Sequence, residues 1–178
     1  MLLALGEAPV STIPKPLDLL YQAHHGMVFR TANRITGNAS DAEDVMQTVF
    51  LRLLRRDSAS TEIDNPESYL RRAAVNAALD VVRARQTDHT LELEKFPASG
   101  SCTELTDLRD TLRRAMAALP ARTAEMFALR FFEGYTNPEI AKLMGLSQIV
   151  VAVTVHRARK KLQQELRTSQ DLKRGPSR

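Results

Sequence analysis

From Leu17 onward, apolar residues recur with a helical period. Leu17, Leu20, Tyr21, His24, Val28, Ala32 and Ile35 fall on one face. Gly37 suits the C-terminal cap, because glycine takes a left-handed backbone without a Cβ clash. A second helix is expected from Ser40 to about Arg56. Ser40 followed by Glu43 reads as a capping box. Asp41, Glu43 and Asp44 place negative charge at the positive end of the helix dipole. Ala42, Val45, Val49 and Leu53 make its core stripe. Asp57 to Asp64 is polar and turn-like. Asn65-Pro66 then reads as an N-cap followed by proline at the first helical position. That third helix is expected to reach about Gln86, with one apolar stripe at Leu70, Ala74, Ala77 and Val81 and a neighbouring one at Val75, Leu79 and Val82.

Between Thr87 and Thr103 the pattern breaks down around Pro97 and Gly100. Helical spacing resumes at Leu105, Leu108, Leu112, Met116 and Leu119. Pro120 is expected to start a helix ending near Gly134. Thr136 and Glu139 form a second capping box, opening a short helix, Asn137 to Met144, closed by Gly145. Ser147 can cap the last helix, expected to reach about Leu166. Met1 to Pro16 is proline-punctuated and aperiodic, and reads as a mobile leader. No strand alternation and no internal repeat is found. The expected fold is all-α: two small helical domains, at 17–86 and 105–166, joined by a flexible linker at 87–104, with a leader at 1–16 and a basic tail at 167–178.

The chain has 178 residues, enough for one large domain or two small ones. Its hydrophobic fraction, 43%, can build a core, which excludes disorder from end to end. No apolar run reaches the roughly 18 residues of a membrane span, so no membrane insertion is expected. Cys102 is the single cysteine, which excludes an internal disulfide and a cysteine zinc cluster. The apolar start MLLALGEAP lacks the basic flank of a signal peptide, and a cytoplasmic location is expected. The formal net charge of +4 permits a nucleic-acid partner without demanding one. There is no phosphate loop, nucleophile elbow or dinucleotide-binding turn. His24 and His25 are adjacent and face different ways, and the acids near Asp41 are explained by capping. Catalysis, a metal and a cofactor are therefore not expected.

The most informative segment runs from Glu139 to the basic end of the last helix. A short helix, a glycine turn and a longer helix make a helix-turn-helix. Ala141 is small enough for close packing, Leu146 plugs the gap beneath the turn, and Val151 and Val155 continue the core face. The second helix would lie in the major groove. Arg157, Arg159, Lys160 and Lys161 would meet phosphates there. On the helix from Ser40, the stripe of Asp44, Gln47, Thr48, Leu51 and Arg55 mixes one leucine with polar groups. It suits either a docking face or a solvated surface. On the helix from Pro66, a polar strip carries Arg72, Asn76, Asp80 and Arg83. Asn76 is flanked by Ala73 and Ala77, which would let a planar ligand approach, and its amide offers a donor and an acceptor to a base edge. An ordinary structural asparagine is the alternative.

These residues resemble extracytoplasmic-function (ECF, group 4) sigma factors of bacterial RNA polymerase. Asp41 to Arg52, DAEDVMQTVFLR, is similar to region 2.2. Asn65 to Leu70 with Ala74 to Asp80 is similar to regions 2.3 and 2.4. Leu119 to Arg122, Phe132 to Tyr135, Glu139 to Ala141, Gly145 to Ser147 and His156 to Leu162 are similar to region 4. The resemblance covers roughly Leu17 to Leu166. It implies a factor that binds core RNA polymerase and directs promoter-specific initiation without chemistry of its own. It further implies that Asp44, Gln47, Thr48 and Leu51 dock on the β′ clamp helices and that region 4 meets the β flap. Arg72, Asn76 and Arg83 would lie at the −10 element, where a flipped base enters a shaped pocket. Ala152, Val153, His156, Arg157 and Lys161 would lie at the −35 element. An anti-sigma factor is the further expected partner.

Extended, Thr87 to Thr103 spans at most about 55 Å, close to the roughly 54 Å of about 16 base pairs. The sequence also departs from the family pattern. Thr48 stands where glutamate is usual. Ile149, Val150, Ala152, Val153 and Thr154 replace the usual glycine, threonine, basic residue, serine and arginine of the recognition helix. Direct guanine readout favours arginine or lysine, so thymine methyls and phosphates are the expected −35 contacts, or affinity for the element is low. Two other readings compete. One is a stand-alone helix-turn-helix regulator, which would not need the matched N-terminal block. The other is a sigma-like chain whose apolar recognition helix binds a protein.

Overall fold

The computed structural model describes residues 16–57, 63, 65–92 and 104–174. Among them are seven helices: α1 (Pro16–Thr36), α2 (Ala39–Asp57), α3 (Pro66–Glu92), α4 (Glu104–Ala117), α5 (Ala121–Phe131), α6 (Asn137–Met144) and α7 (Gln148–Arg174). The expected leader up to Lys15, most of the Asp57–Asp64 turn and the part of the linker at 93–103 lie outside the described residues.

Helices α1, α2 and α3 pack on one another, and α4 to α7 form a second unit around α5 and α7. The core stripes anticipated on α2 and α3 are buried, Ala42, Val45, Val49 and Leu53, then Leu70, Ala74, Val75, Ala77, Leu79 and Val82, except that Val81 is only half-buried. Gly37 caps α1 at φ 69°, its N–H bonding the Asn33 carbonyl at 2.9 Å. The cap of α2 differs from the expectation. Asn38 Oδ1 accepts from the backbone N–H groups of Ser40 (2.8 Å) and Asp41 (3.3 Å), so Asn38 caps the helix and Ser40 lies inside it. Asp41 is buried and paired with Arg85 (2.5 Å), so it ties α2 to α3 as well as facing the helix dipole. Asn65 caps α3 through the Ser68 N–H at 3.0 Å, ahead of Pro66.

In the second unit Pro120 is the N-cap of α5, outside the helix, and α5 ends at Phe131, short of Gly134. The turn into α6 is as the residues indicated. Glu139 N–H donates to Thr136 Oγ1, while Thr136 N–H donates back to Glu139 Oε2 at 2.7 Å. The Thr136 hydroxyl and backbone N–H hold the Glu139 carboxyl below its ordinary pKa by stabilising its ionised form. Gly145 closes α6 in the left-handed region at φ 65°. Ser147 Oγ then accepts from Val150 N–H at the start of α7.

Two boundaries move. α3 continues to Glu92 and α7 to Arg174, so six residues assigned to the linker and eight assigned to the tail are helical. Neither extension carries an apolar stripe, and periodicity alone therefore could not extend the helices. The expected separation of the units also gives way to contact: α3 packs against both α4 and α5. Arg113 of α4 donates to the Ile35 carbonyl at the end of α1 at 3.2 Å.

Candidate nucleic-acid and polymerase interface

The helix-turn-helix assembles as its residues suggested. α6 and α7 bend by 112° across the Gly145–Ser147 turn, within the range of about 90–120° for this motif. Ile140, Ala141, Met144, Val151 and Val155 are buried beneath it, and Leu146 is half-buried against them. The outer face of α7 carries Val153, His156, Arg157 and Lys161, all exposed, with Ala152 half-buried beside them. Val153, Arg157 and Lys161 repeat every fourth residue and form one line along the helix. Ile149 and Val150 are exposed at its start, Ile149 to 76%. Arg159, grouped by sequence with the phosphate-facing cations, lies over the Phe131 ring, 6.0 Å from its centroid.

On α2, Asp44, Gln47 and Leu51 are exposed and Thr48 is half-buried, on the face opposite the core stripe. Leu51 and Leu54 are each about half exposed, at 52% and 51%. Gln47 also borders an open cavity of about 390 Å³ between α1 and α2, with Phe29 and Met46 as its apolar walls.

The polar strip of α3 is covered in part by the second unit: Asp80 is exposed, while Arg72, Asn76 and Arg83 are half-buried. Glu125, on α5, is buried amid Ala124, Met126, Phe127, Ala128 and Leu129. Its Oε1 accepts from Arg72 Nε at 2.6 Å and from Asn76 Nδ2 at 3.0 Å. Arg72 Nη1 also donates to the Leu143 carbonyl of α6 at 3.1 Å. Arg72 and Asn76 therefore do converge, but on a carboxylate of the second unit. Arg83 lies further along, its Nη1 on Asp80 Oδ1 at 3.2 Å and its Nη2 buried with no hydrogen-bond partner.

A second carboxylate joins the two units. Glu133, in the turn after α5, has no exposed side-chain area. It accepts from Thr31 Oγ1 (2.9 Å), Arg34 Nη1 (3.0 Å) and Arg71 Nη1 (2.7 Å). Burial alone would pull the Arg71 pKa down. Hydrogen bonds and charge from Glu67 and Glu133 outweigh that and hold it above its ordinary value. Glu67, one turn before Arg71, is held below the usual carboxylate value by that guanidinium. Thr31, Arg34, Arg71, Glu125 and Glu133 were not singled out from the sequence. One signal was available: Glu125 interrupts an otherwise apolar run from Ala124 to Leu129, and a buried acid needs a partner.

Among the described residues no single helix is long and apolar enough to cross a membrane, and no group of three or more His, Cys, Asp or Glu side chains could hold a metal ion.

Comparison with known proteins identifies both units. Residues 20–87 match the family model of sigma-70 region 2, and residues 109–162 that of sigma-70 region 4. The chain is 28% identical to the RNA polymerase sigma-E factor of Streptomyces coelicolor over 141 residues, covering 78% of this chain and 79% of that protein. It is 29% identical to the ferric citrate uptake sigma factor FecI of Escherichia coli, covering 80% and 86%. It is 31% identical to the ECF RNA polymerase sigma factor SigE of Mycolicibacterium smegmatis, covering 84% of this chain and 61% of that one. In fold it is similar to the sigma factor RpoE of Bartonella quintana, solved in complex with the anti-sigma factor NepR. That match has a TM-score of 0.52 at 19% identity, over 86% of this chain and 98% of that one. With a region 2 unit of α1–α3 followed by a region 4 unit of α4–α7, the chain belongs to the extracytoplasmic-function sigma factors of the sigma-70 family.

Proposed function

We propose that this sigma factor docks on core RNA polymerase through the exposed face of α2 and reads its promoter with α3 and α7. Asp44, Gln47, Thr48 and Leu51 meet the β′ clamp helices, and region 4 meets the β flap. Arg72, Asn76 and Arg83 contact the −10 element. Ala152, Val153, His156, Arg157 and Lys161 contact the −35 element. The factor performs no chemistry and needs no cofactor; it supplies specificity and promoter opening to the polymerase in the cytoplasm. An anti-sigma factor that covers the α2 face is its expected regulator, as RpoE of Bartonella quintana has NepR.

The observation that carries this reading is the α2 face itself. One side of the helix is buried core, while the other exposes Leu51 and Leu54 beside Asp44 and Gln47. Exposed leucines rimmed by polar groups mark a protein-docking surface. Run-off transcription with core polymerase is the direct test. Gln47→Ala with Leu51→Ala should weaken core binding by roughly tenfold, as expected for central contact residues, while circular dichroism stays unchanged. Neither side chain fills the core, so no cavity forms. Unchanged core affinity would remove the assignment.

Exposed Ile149, Val150 and Val153 favour a second reading for α7 alone, in which its apolar start meets a protein. Anisotropy on duplex promoter DNA separates the two, since a protein-binding helix would leave DNA affinity indifferent to changes at Val153 and Arg157.

A further inference from the structure

Five side chains of region 2 donate to region 4, and each of them reaches one of two carboxylates; Arg34 and Arg72 also reach the Phe132 and Leu143 carbonyls. Glu125 holds Arg72 and Asn76. Glu133 holds Thr31, Arg34 and Arg71. The second set has the make-up of an anion cradle: two guanidinium groups, whose planar forks match an oxyanion, and a hydroxyl. It is built on two packed helices, Thr31 and Arg34 on α1 and Arg71 on α3. Arg71 precedes Asn76 by five residues, about 7.5 Å along the helix axis.

We propose that Thr31, Arg34 and Arg71 form a binding site for a backbone phosphate of single-stranded DNA, and that Glu133, together with Glu125 of the same unit, is a built-in competitor that occupies the DNA-binding strip of the closed chain. The inference rests on the reading of Asn76 as a −10 contact. Glu133 Oε1 and Oε2 stand where phosphate oxygens would sit. Glu125 Oε1 takes the amide hydrogen that Asn76 would offer a base. DNA and region 4 cannot hold these donors together, so the strand binds only when the units part. Apparent affinity then falls by the fraction of chains that are open. An ion-pair cluster that merely glues two domains together would make a different prediction. Its removal would loosen the chain, yet region 2 would gain no affinity for a strand.

The test measures anisotropy of a short fluorescein-labelled single-stranded DNA of mixed sequence, titrated with the full chain over a series of salt concentrations. Glu125→Gln with Glu133→Gln should bind about tenfold more tightly than the parent, since charge-assisted bonds that favour closure are lost. Adding Arg34→Ala to that double variant should flatten the slope of log affinity against log salt by about 0.7, the single-strand value for one phosphate. Equal affinity of parent and double variant overturns the proposal, as does an unchanged slope with Arg34→Ala. If the double variant loses its helicity, Glu133→Asp serves instead. It keeps the charge but shortens the reach, and should gain about threefold by favouring the open form. No gain there overturns the proposal equally. Run-off transcription by the same proteins tells the two readings apart. Transcripts with unchanged single-strand affinity remove the cradle alone, while no transcript from the parent removes the sigma reading beneath it.

Discussion

Glu67 and Arg71 sit one turn apart on α3, joined at 2.8 Å, with Arg71 also reaching Glu133. The Glu67 carboxyl is held below its ordinary value by that guanidinium. A carboxyl with a depressed folded pKa stabilises the fold above its unfolded pKa, about 4.3 for glutamate. The contribution is lost as pH falls through the lower folded value. Exposure limits its size, and helix pairs of this spacing contribute about 0.3–0.5 kcal/mol. Glu67→Gln should therefore lower stability by about that much at neutral pH, with the difference from the parent vanishing in acid. Urea unfolding at pH 7 and below pH 4 checks this; a constant difference at both would refute it. At this scale the sequence yields only half of each pair. The anomaly of Glu125 in an apolar stretch can be read from its neighbours. Its partner cannot, because Arg72 lies 53 positions away and only the docking of α5 on α3 brings them together.

Whole elements are more legible where their ends carry their own chemistry. The Thr136–Glu139 box and Gly145 fix both ends of α6 through contacts within a few residues, so local sequence suffices. The α2 cap is ambiguous in sequence because Asn38 and Ser40 are both good cap residues two positions apart; in the fold the Asn38 carboxamide reaches both free N–H groups. The last turns of α7 are polar, and no stripe reports their helicity. On the outer face of α7, Val153 cannot donate to a base, whereas Arg157 and Lys161 can reach phosphates. Arg157→Ala should flatten the salt slope on duplex DNA by about 0.9 without changing the preferred sequence. Ala152→Arg should raise affinity and add a preference for guanine. Binding titrations across salt on a set of −35 variants measure both, and a change of sequence preference with Arg157→Ala would show a base contact instead.

The molecule as a whole is a closed pair of domains, and that closure is the least legible feature in the sequence. The apolar pattern predicts two bodies and is silent on how they meet, and in the fold their buried apolar residues form one cluster. Beside that apolar packing, long-range polar contacts join them: Glu125, Glu133, and Arg113 on the Ile35 carbonyl. The extension of α3 to Glu92 has a bearing on this pairing. Between Glu92 and the start of α4 at Glu104 there remain eleven residues, which reach at most about 36 Å at 3.3 Å each. A tether of that order keeps region 4 near region 2 at an effective concentration on the millimolar scale. Contacts too weak to hold two separate proteins together suffice at that concentration, and the ratio of closed to open chains becomes a property of tether length as much as of the contacts. Doubling the tether with a Gly/Ser insertion after Glu92 should lower the effective concentration about threefold, following the −3/2 power of length. Single-strand affinity should rise by up to that factor with every side chain of the interface intact, and an unmoved affinity would show that proximity does not limit opening. Insertions and deletions in this stretch would then let selection reset the factor's resting activity without altering a residue that touches polymerase or promoter.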